Sequence, residues 1–279
     1  MNSRSYDILK TLLRAEERDI PLFETALRLS AHRYPDMDTR RYLDMVDGFR
    51  QQFIEVAEGV SSNADKLLVL NRYFFETLQF QPNSENYFDP KNSCLSAVIE
   101  SRKGIPITLS LLYIEIGKSA GLNLSGVCFP GHFLIRYQDG LGHALLDAFG
   151  FGRSLSMREL QDLLKKFGYQ EVSPSVIQSL VSKSPTKAIL SRLLLNLKAI
   201  YLQDQDYDKA LSIINWIIEV GLIQPTEYRD RGLVEQQLGL YQSALKDYET
   251  YLQLAGEVTD LEDIQQRIID LSRLRSTLH

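Results

Sequence analysis

Few side chains in this 279-residue sequence have types and spacings that suit covalent or metal chemistry. The four histidines and the two cysteines, Cys94 and Cys128, are scattered and lack the spacing typical of metal ligands. The sequence also contains no glycine-rich phosphate loop of the Walker or dinucleotide type. It therefore predicts neither a metal nor a cofactor, and leaves nucleophilic and acid–base chemistry to consider.

His132, His143 and Asp147 are the residues suited to acid–base chemistry that lie in a predicted group of β-strands. Cys128 lies four residues before His132, so both would share one face of an unbroken strand, although Pro130 interrupts it. His143 lies four residues before Asp147 and would compete with His132 for that carboxylate. The strands are predicted over residues 125–129, 132–137 and 141–149.

Helices are predicted on both sides of these strands, which gives an α+β fold dominated by helices. Gly104-Ile105-Pro106 should start a largely buried helix, because proline suits a first turn, and Gly121 should end it. The predicted organisation is residues 1–80 as the helical N-terminal part of a core domain, 81–170 as that core with a small antiparallel sheet, 171–187 as a linker, and 188–279 as two helical repeats with a capping helix.

Composition narrows the classes of partner and the compartment. The net charge of −5 and the pI near 5.5 argue against nucleic acid as the main partner. Two cysteines are too few for a disulfide framework and fit a reducing compartment. The sequence shows no apolar core of signal-peptide length and no run of 18 apolar residues. We expect a cytoplasmic protein that binds neither nucleic acid nor membrane.

The last third of the chain contains an internal repeat with a period of 34 residues. The recurring pairs are Tyr207 and Tyr241, Ala210 and Ala244, and Leu211 and Leu245. This pattern, with Pro225 at the end of the first unit, resembles the tetratricopeptide repeat. The repeats predict a protein or peptide partner. They are also compatible with a structural extension, because two repeats fall below the usual minimum of about three for independent stability.

Residues 83–149 resemble the transglutaminase-like core family found in bacterial SirB-type proteins. The residues that carry the resemblance are Asn83, residues 87–93, residues 102–110, residues 126–134 and Leu146-Asp147. The runs Gly-Ile-Pro-Ile-Thr-Leu and Phe-Pro-Gly-His-Phe-Leu are specific when they occur together. The match extends weakly over residues 1–80 and includes the repeats, so it covers nearly the whole chain.

The resemblance implies a particular catalytic arrangement. In the wider superfamily a cysteine at a helix N-terminus attacks an acyl carbon, a histidine takes the proton, and an aspartate orients the imidazole. His132 and Asp147 fill the last two roles and are 15 residues apart, the separation usual in that superfamily. The cysteine position falls on Pro106, which is no nucleophile, and the SirB-type family shares this departure. Thr108 and Ser110 are the nearest hydroxyls.

Three interpretations of this incomplete site remain open. In the first interpretation, the histidine and aspartate are a catalytic relic kept for folding or binding. Alternatively, Thr108 or Ser110 has taken the role of the nucleophile, although a hydroxyl is much less reactive than a thiolate at neutral pH. In the third interpretation, Cys94 or Cys128 supplies a thiol from another segment.

Asn92 and Arg102 flank the start of the predicted helix, and with Ser110 they are candidate binding residues. In one interpretation Asn92, Glu100 and Arg102 line a polar pocket beside His132. In the other, Asn92 belongs to a turn and Arg102 pairs with a carboxylate. We expect a protein- or peptide-binding or regulatory role, and the alternative is an acyl transferase or amide hydrolase that uses His132, Asp147 and a substituted nucleophile.

Overall fold

The computed structural model describes residues 3–140, 142–170, 172–221, 224–256 and 259–277. The α-helices within these residues are α1 Ser3–Arg14, α2 Leu22–Leu29, α3 Thr39–Val56, α4 Asn63–Arg72, α5 Leu95–Ser101, α6 Pro106–Ser119, α7 Met157–Lys166, α8 Pro174–Leu180, α9 Thr186–Gln203, α10 Tyr207–Val220, α11 Pro225–Gln237, α12 Tyr241–Leu254 and α13 Leu261–Thr277. The strands are β1 Gln81–Pro82, β2 Lys103–Gly104, β3 Leu124–Val127, β4 Leu134–Asp139, β5 Gly142–Asp147 and β6 Arg153–Ser154.

The strands of the described residues form two small sheets. The larger one is antiparallel, with the order β3-β4-β5-β6, and β1 pairs with β2 in parallel. Helices account for most of the remaining chain. The predicted fold class, α+β with a predominance of helices and a small antiparallel sheet, is confirmed.

The strand predicted over residues 132–137 starts two residues later, because β4 begins at Leu134. The backbone of Gly131 has a φ of +67°, a conformation that favours glycine. The N–H of His132 donates to the carbonyl of Phe129 at 3.0 Å, which closes a turn. His132 therefore lies in the turn before β4, and the prediction that it lies on the strand is wrong.

The other two predicted strands correspond to β3 and β5. Strand β3 ends at Val127, before the interruption at Pro130. Strand β5 ends at Asp147 because a 3-10 turn, Ala148–Gly150, begins there. Residue 141, the first of the predicted strand, lies outside the described residues.

Helix α6 is the central element of the N-terminal part of the chain. Its side chains from Pro106 to Ile114 are all buried, and it contacts α3, β3 and β4. A helix that is apolar on all sides gains stability only when it is covered on all sides. The prediction of a buried helix that starts after Gly104 is thus confirmed, and this helix sets the position of the sheet.

A short helix occupies the segment that was expected to be a linker, residues 171–187. Ser173 caps α8 through a hydrogen bond from the N–H of Val176, and Pro174 is its first residue. Ile177 and Val181 are buried in a cluster that also contains Phe129. Much of this segment is therefore packed structure, and residue 171 lies outside the described residues.

The chain divides into two compact units, Met1–Leu193 and Leu194–His279. In the second unit, Tyr248 and Ile264 belong to a buried cluster formed by α12 and α13. A Cβ atom added to Gly232 would lie 2.8 Å from the ring of Tyr248, so glycine allows α11 and α12 to approach closely. Close helix packing of this kind is what the 34-residue repeat in the sequence predicts.

Arg231 connects three helices of the second unit. Its guanidinium donates to Asn215 Oδ1 on α10 at 2.9 Å and to Asp247 Oδ1 on α12 at 2.8 Å. Glu235 lies one turn further along α11, is buried, and has a carboxylate oxygen without a described hydrogen-bond partner. Burial raises the pKa of Glu235 to about 7, and the negative charge of Asp247 acts in the same direction.

This raised pKa predicts that the second unit becomes less stable as pH rises. Between the ordinary pKa of a glutamate and about 7, the folded state binds a proton that the unfolded state does not. We expect the free energy of unfolding to fall by about 1–2 kcal/mol between pH 5 and pH 8. Glu235→Gln should remove this fall. Urea unfolding followed by the fluorescence of Trp216, the only tryptophan, measures it, and an equal fall in the glutamine variant would contradict the assignment.

Candidate functional site

His132 and Asp147 form the hydrogen-bonded pair that the sequence resemblance implies. His132 Nε2 and Asp147 Oδ1 are 2.9 Å apart, and their side chains are 15% and 11% exposed. The two residues come from the turn before β4 and from the end of β5, which are neighbours in the sheet. The pair is therefore largely shielded from water but reaches the protein surface.

The backbone around the pair holds both side chains in place. Asp147 Oδ1 also accepts the N–H of Phe149 at 2.9 Å, so the carboxylate starts the 3-10 turn that follows β5. On the histidine side, the ring of Phe167 covers Gly131, where an added Cβ atom would lie 2.0 Å from the nearest ring carbon. A residue larger than glycine at this turn would displace the ring of Phe167.

The pKa of the Asp147 carboxyl is below its ordinary value. Burial on its own acts to raise this pKa, but the hydrogen bond and charge of His132 and the N–H groups of Gly150 and Phe149 outweigh it. The ionised carboxylate is thus the form that the fold stabilises. An ionised aspartate next to an imidazole can orient the ring and stabilise its protonated form.

Asp147→Asn is expected to destabilise the folded protein more at pH 7 than at pH 3. A depressed pKa contributes stability above the unfolded value, and this contribution is lost as pH falls through the lower folded pKa. We expect a loss of about 1–2 kcal/mol at pH 7. Urea unfolding at the two pH values measures it, with Asp162→Asn at an exposed position of α7 as the control. An equal loss at both pH values would contradict this account.

The helix start where a nucleophile would stand carries a capping interaction instead. Pro106 is the first residue of α6 and is buried. Thr108 Oγ1 donates to the carbonyl of Asn92 at 2.8 Å and accepts the N–H of Ile105 at 3.2 Å. Its side chain is fully buried. The hydroxyl predicted as a substitute nucleophile therefore caps the helix and is closed to solvent.

The other candidate nucleophiles are not joined to His132 by any hydrogen bond in the described part of the chain. Ser110 is fully buried, and its hydroxyl has no described partner. Burial raises the pKa of Cys94 to about 12. Burial also raises the pKa of Cys128, against the opposing effects of a hydrogen bond with Ser184 and the charge of Arg192. Neither thiol has the lowered pKa that marks a reactive cysteine.

Asn92 belongs to a network within its own loop. Its side chain accepts from Asn83 Nδ2 at 2.9 Å and donates to the carbonyls of Asn86 and Tyr87 at 2.6 and 3.1 Å. These contacts satisfy the amide, as expected for a residue that shapes a turn. The contacts of Asn92 are those expected of a turn residue. A role for Asn92 in binding stays a prediction.

Arg102 stacks on aromatic rings, and no ion pair joins it to a carboxylate among the residues that the structure describes. Its guanidinium carbon lies 4.5 Å from the ring centre of Phe49 and 4.8 Å from that of Phe80. Glu100 instead accepts the hydroxyl of Tyr42 at 2.7 Å and pairs with Arg41 at 3.5 Å. Roles for Arg102 and Ser110 in ligand binding likewise stay predictions.

Aromatic side chains border the pair, and the sequence interpretation did not include them in the site. The ring centre of Tyr87 lies 5.8 Å from that of Phe149, which follows Asp147 by two residues, and 5.3 Å from that of exposed Phe88. Arg192 on α9 acts electrostatically on both Tyr87 and Cys128. Tyr87 and Phe88 lie within residues 87–93, one of the segments that carry the family resemblance. Arg192 lies outside these segments, and no spacing in the sequence connects it to them.

The residues described show neither a metal site nor a membrane-spanning helix. No group of three or more histidine, cysteine, aspartate or glutamate side chains among them could hold a metal ion. None of the helices in the described ranges combines the length and apolar character needed to cross a bilayer.

Comparison with protein families identifies the class to which this fold and site belong. The family model of the transglutaminase-like superfamily matches residues 40–195, which include the pair and the start of α6. A tetratricopeptide repeat model matches residues 197–268. The chain belongs to the transglutaminase-like superfamily and carries C-terminal tetratricopeptide repeats, which confirms both resemblances.

Within this class, the chain is similar over nearly its whole length to bacterial proteins named "UPF0162 protein". It is 33% identical to the one from Xylella fastidiosa (strain Temecula1 / ATCC 700964) over 96% of both chains. It is 32% identical to that of Vibrio cholerae over 75% of this chain and 77% of the relative. The "F-box only protein 21" of Homo sapiens is 32% identical over 46% of this chain and 20% of that protein. No solved structure matches the sequence.

Proposed function

We propose that this protein acts by binding a protein or peptide through its helical repeats, in a recognition or regulatory role without acyl transfer. The observation that carries the proposal is the start of α6, where Pro106 replaces a nucleophile and the buried hydroxyl of Thr108 caps the helix. The His132–Asp147 pair then serves to hold β4 and β5 in place. Both cysteines are free, which supports a cytoplasmic location.

The outer face of α13, the helix that caps the repeats, is the surface that we propose to contact the partner. Ile264 and Leu271 pack into the buried cluster with α12. Leu261 and Ile269 are 40% and 45% exposed, and their spacing of eight residues places them on one side of the helix. Exposed apolar side chains on a helical repeat fit the surface of a partner protein.

The proposal is tested with the purified full chain as bait in a cell lysate, followed by titration of each captured protein in purified form. We expect Leu261→Glu with Ile269→Glu to weaken binding at least tenfold. Leu68→Glu, at a 60% exposed position of α4, is the matched control and should leave affinity unchanged. His132→Ala should also leave it unchanged. Failure to capture any protein, together with clear hydrolysis of an amide or ester, would overturn the proposal.

A second candidate function is acyl transfer or amide hydrolysis with His132 as the base. The 2.9 Å hydrogen bond to an ionised Asp147 favours it, because this is how catalytic histidines are oriented. It requires a substituted nucleophile, and the candidates are Thr108, Ser110, Cys94 and Cys128. An electrophilic acyl probe should then label the protein, and His132→Ala should abolish the labelling.

A further inference from the structure

Two exposed aromatic side chains, Tyr87 and Phe88, lie close to the His132–Asp147 pair. Tyr87 is 37% exposed and Phe88 is 69% exposed, so both rings offer apolar area to another molecule. Their ring centres are 5.3 Å apart, and the ring centre of Tyr87 lies 5.8 Å from that of Phe149, two residues after Asp147. Aromatic side chains that cluster at an exposed position are typical of binding surfaces.

The loop that carries these two rings is fixed by the buried amide of Asn92. This amide donates to the carbonyls of Asn86 and Tyr87 at 2.6 and 3.1 Å. The carbonyl of Asn92 in turn accepts the hydroxyl of Thr108 on α6 at 2.8 Å. The backbone that presents the rings is therefore tied to the central helix, and a surface held in place in this way is bound at a lower entropic cost.

A guanidinium reaches the same surface from α9. The segment before α9 runs beside β3, because Ser184 donates its N–H to the carbonyl of Gly126 at 2.9 Å and its hydroxyl accepts the N–H of Cys128 at 2.8 Å. A Cβ atom added to Gly126 would lie 2.9 Å from the side chain of Ile189 on α9. Arg192 follows Ile189 by three residues and lies on the same side of the helix. These contacts bring Arg192 to the end of β3.

Arg192 is half-buried, and it makes no ion pair or hydrogen bond within the described ranges. Its charge opposes the rise in pKa that burial causes in the Tyr87 hydroxyl and the Cys128 thiol, and no described carboxylate acts on either group. Asp89, in the loop of the aromatic rings, instead accepts a backbone N–H and acts on buried Cys94. A guanidinium in such surroundings is complementary to a carboxylate, which it binds through two parallel hydrogen bonds.

The open character of this surface favours a peptide over a small free acid. Small-molecule sites bury most of their ligand in a cavity, whereas Phe88 is more exposed than buried. Arg192 acts on the hydroxyl of Tyr87, while Phe88 and Phe149 lie against its ring. The positions for a carboxylate and for an apolar side chain are thus neighbours along one tyrosine. The last residue of a peptide carries both groups.

We propose that this surface binds the carboxyl-terminal residue of a peptide, with its carboxylate on Arg192 and an aromatic side chain against Tyr87 and Phe88. The residues that form it belong to the unit Met1–Leu193, and α13 takes no part. The proposal is therefore independent of the partner contact proposed for α13. Failure of either one leaves the other unchanged.

Chemical-shift titration of the isotope-labelled full chain with the peptide Gly-Ser-Gly-Phe tests the proposal. The free acid should bind about tenfold more tightly than the same peptide with a terminal amide, because only the free acid pairs with the guanidinium. Gly-Ser-Gly-Gly should bind about tenfold more weakly, since it lacks the aromatic side chain. No binding of Gly-Ser-Gly-Phe, or equal affinities of the acid and the amide, would overturn the proposal.

Two further ligands distinguish the end of a peptide from other sources of a carboxylate. The amide of Gly-Phe-Gly-Glu-Gly has its carboxylate on an internal side chain, and phenylacetate is a free aromatic acid. Both should bind about tenfold more weakly than Gly-Ser-Gly-Phe. If either bound as tightly, the assignment to a peptide terminus would be wrong.

Variants locate the site independently of the ligand series. Arg192→Met should weaken binding of the free acid about tenfold and leave the amide unchanged. Lys187→Met is the matched control, because Lys187 is a half-buried cation on the same helix that acts on neither Tyr87 nor Cys128. Equal losses in these two variants would overturn the proposal.

An aromatic variant tests the apolar half of the site. Phe88→Ala should weaken both the acid and the amide about fivefold or more, since the exposed ring contributes to the contact of either form. Leu68→Ala, at a 60% exposed position of α4, should leave both affinities unchanged. Unchanged affinities in Phe88→Ala would contradict the proposal.

Discussion

Replacing Lys198 by methionine is expected to destabilise the second unit by about 3–5 kcal/mol, the typical cost of breaking a buried ion pair. Lys198 is only 8% exposed, and its Nζ donates to the two carboxylate oxygens of Glu227 at 2.9 and 2.8 Å. It also donates to Asp230 Oδ2 at 2.9 Å. Without the lysine, the buried carboxylate of Glu227 loses its described cationic partner, so α9 and α11 separate more easily.

Urea unfolding followed by the fluorescence of Trp216 on α10 measures this effect. Lys246→Met is the matched control, because Lys246 is an exposed lysine on α12 in the same unit, and it should change stability by less than about 0.5 kcal/mol. Adding Glu227→Leu to Lys198→Met should recover much of the loss, since the unpaired charge is then removed. Equal stability of the two lysine variants would contradict the account.

Thr108→Val is expected to cost about 2–3 kcal/mol, although valine has nearly the same shape as threonine. The substitution removes the oxygen that accepts the N–H of Ile105 and that donates to the carbonyl of Asn92. Both backbone groups belong to residues that are at most 3% exposed, so water cannot easily replace the hydroxyl. The substitution therefore destabilises the start of α6, the helix around which the domain packs.

Thr108→Ser separates this capping role from a catalytic one. Serine keeps the oxygen, so the variant should retain most of the stability that valine loses. Thermal unfolding followed by far-ultraviolet circular dichroism compares the three proteins. If Thr108→Val is as stable as the original protein but loses a His132-dependent acyl adduct, Thr108 is a nucleophile and the capping account is wrong.

Local sequence signals predicted α6, the helix at whose start the superfamily would have its nucleophile. Proline at position 106 and glycine at position 121 mark the two ends of α6, and the apolar residues between them predict its burial. The separation of His132 and Asp147 by 15 residues anticipated a pair that the structure joins at 2.9 Å. These features are spacings between residues that lie near one another in the chain, so they can be recognised in one sequence without the structure.

Contacts between distant segments were not accessible in the same way. The turn at Gly131 moves His132 off the strand, and the ring of Phe167, which lies 36 residues further along the chain, covers this turn. Arg102 stacks on Phe49, whereas one of the two interpretations of the sequence paired it with a carboxylate. Lys198 and Glu227 are 29 residues apart in the sequence. No spacing pattern distinguishes Glu227 from the many other carboxylates as the partner of Lys198. Tertiary packing selects these partners from several that are chemically equivalent.

The central claim is that this transglutaminase-like domain has no working nucleophile beside His132. Intact-mass spectrometry after exposure to p-nitrophenyl acetate and to a fluorophosphonate tests it most directly, with the original protein and His132→Ala treated in parallel. The account predicts no stoichiometric adduct that depends on His132. An adduct on Thr108, Ser110 or Cys128 that disappears in His132→Ala would contradict it.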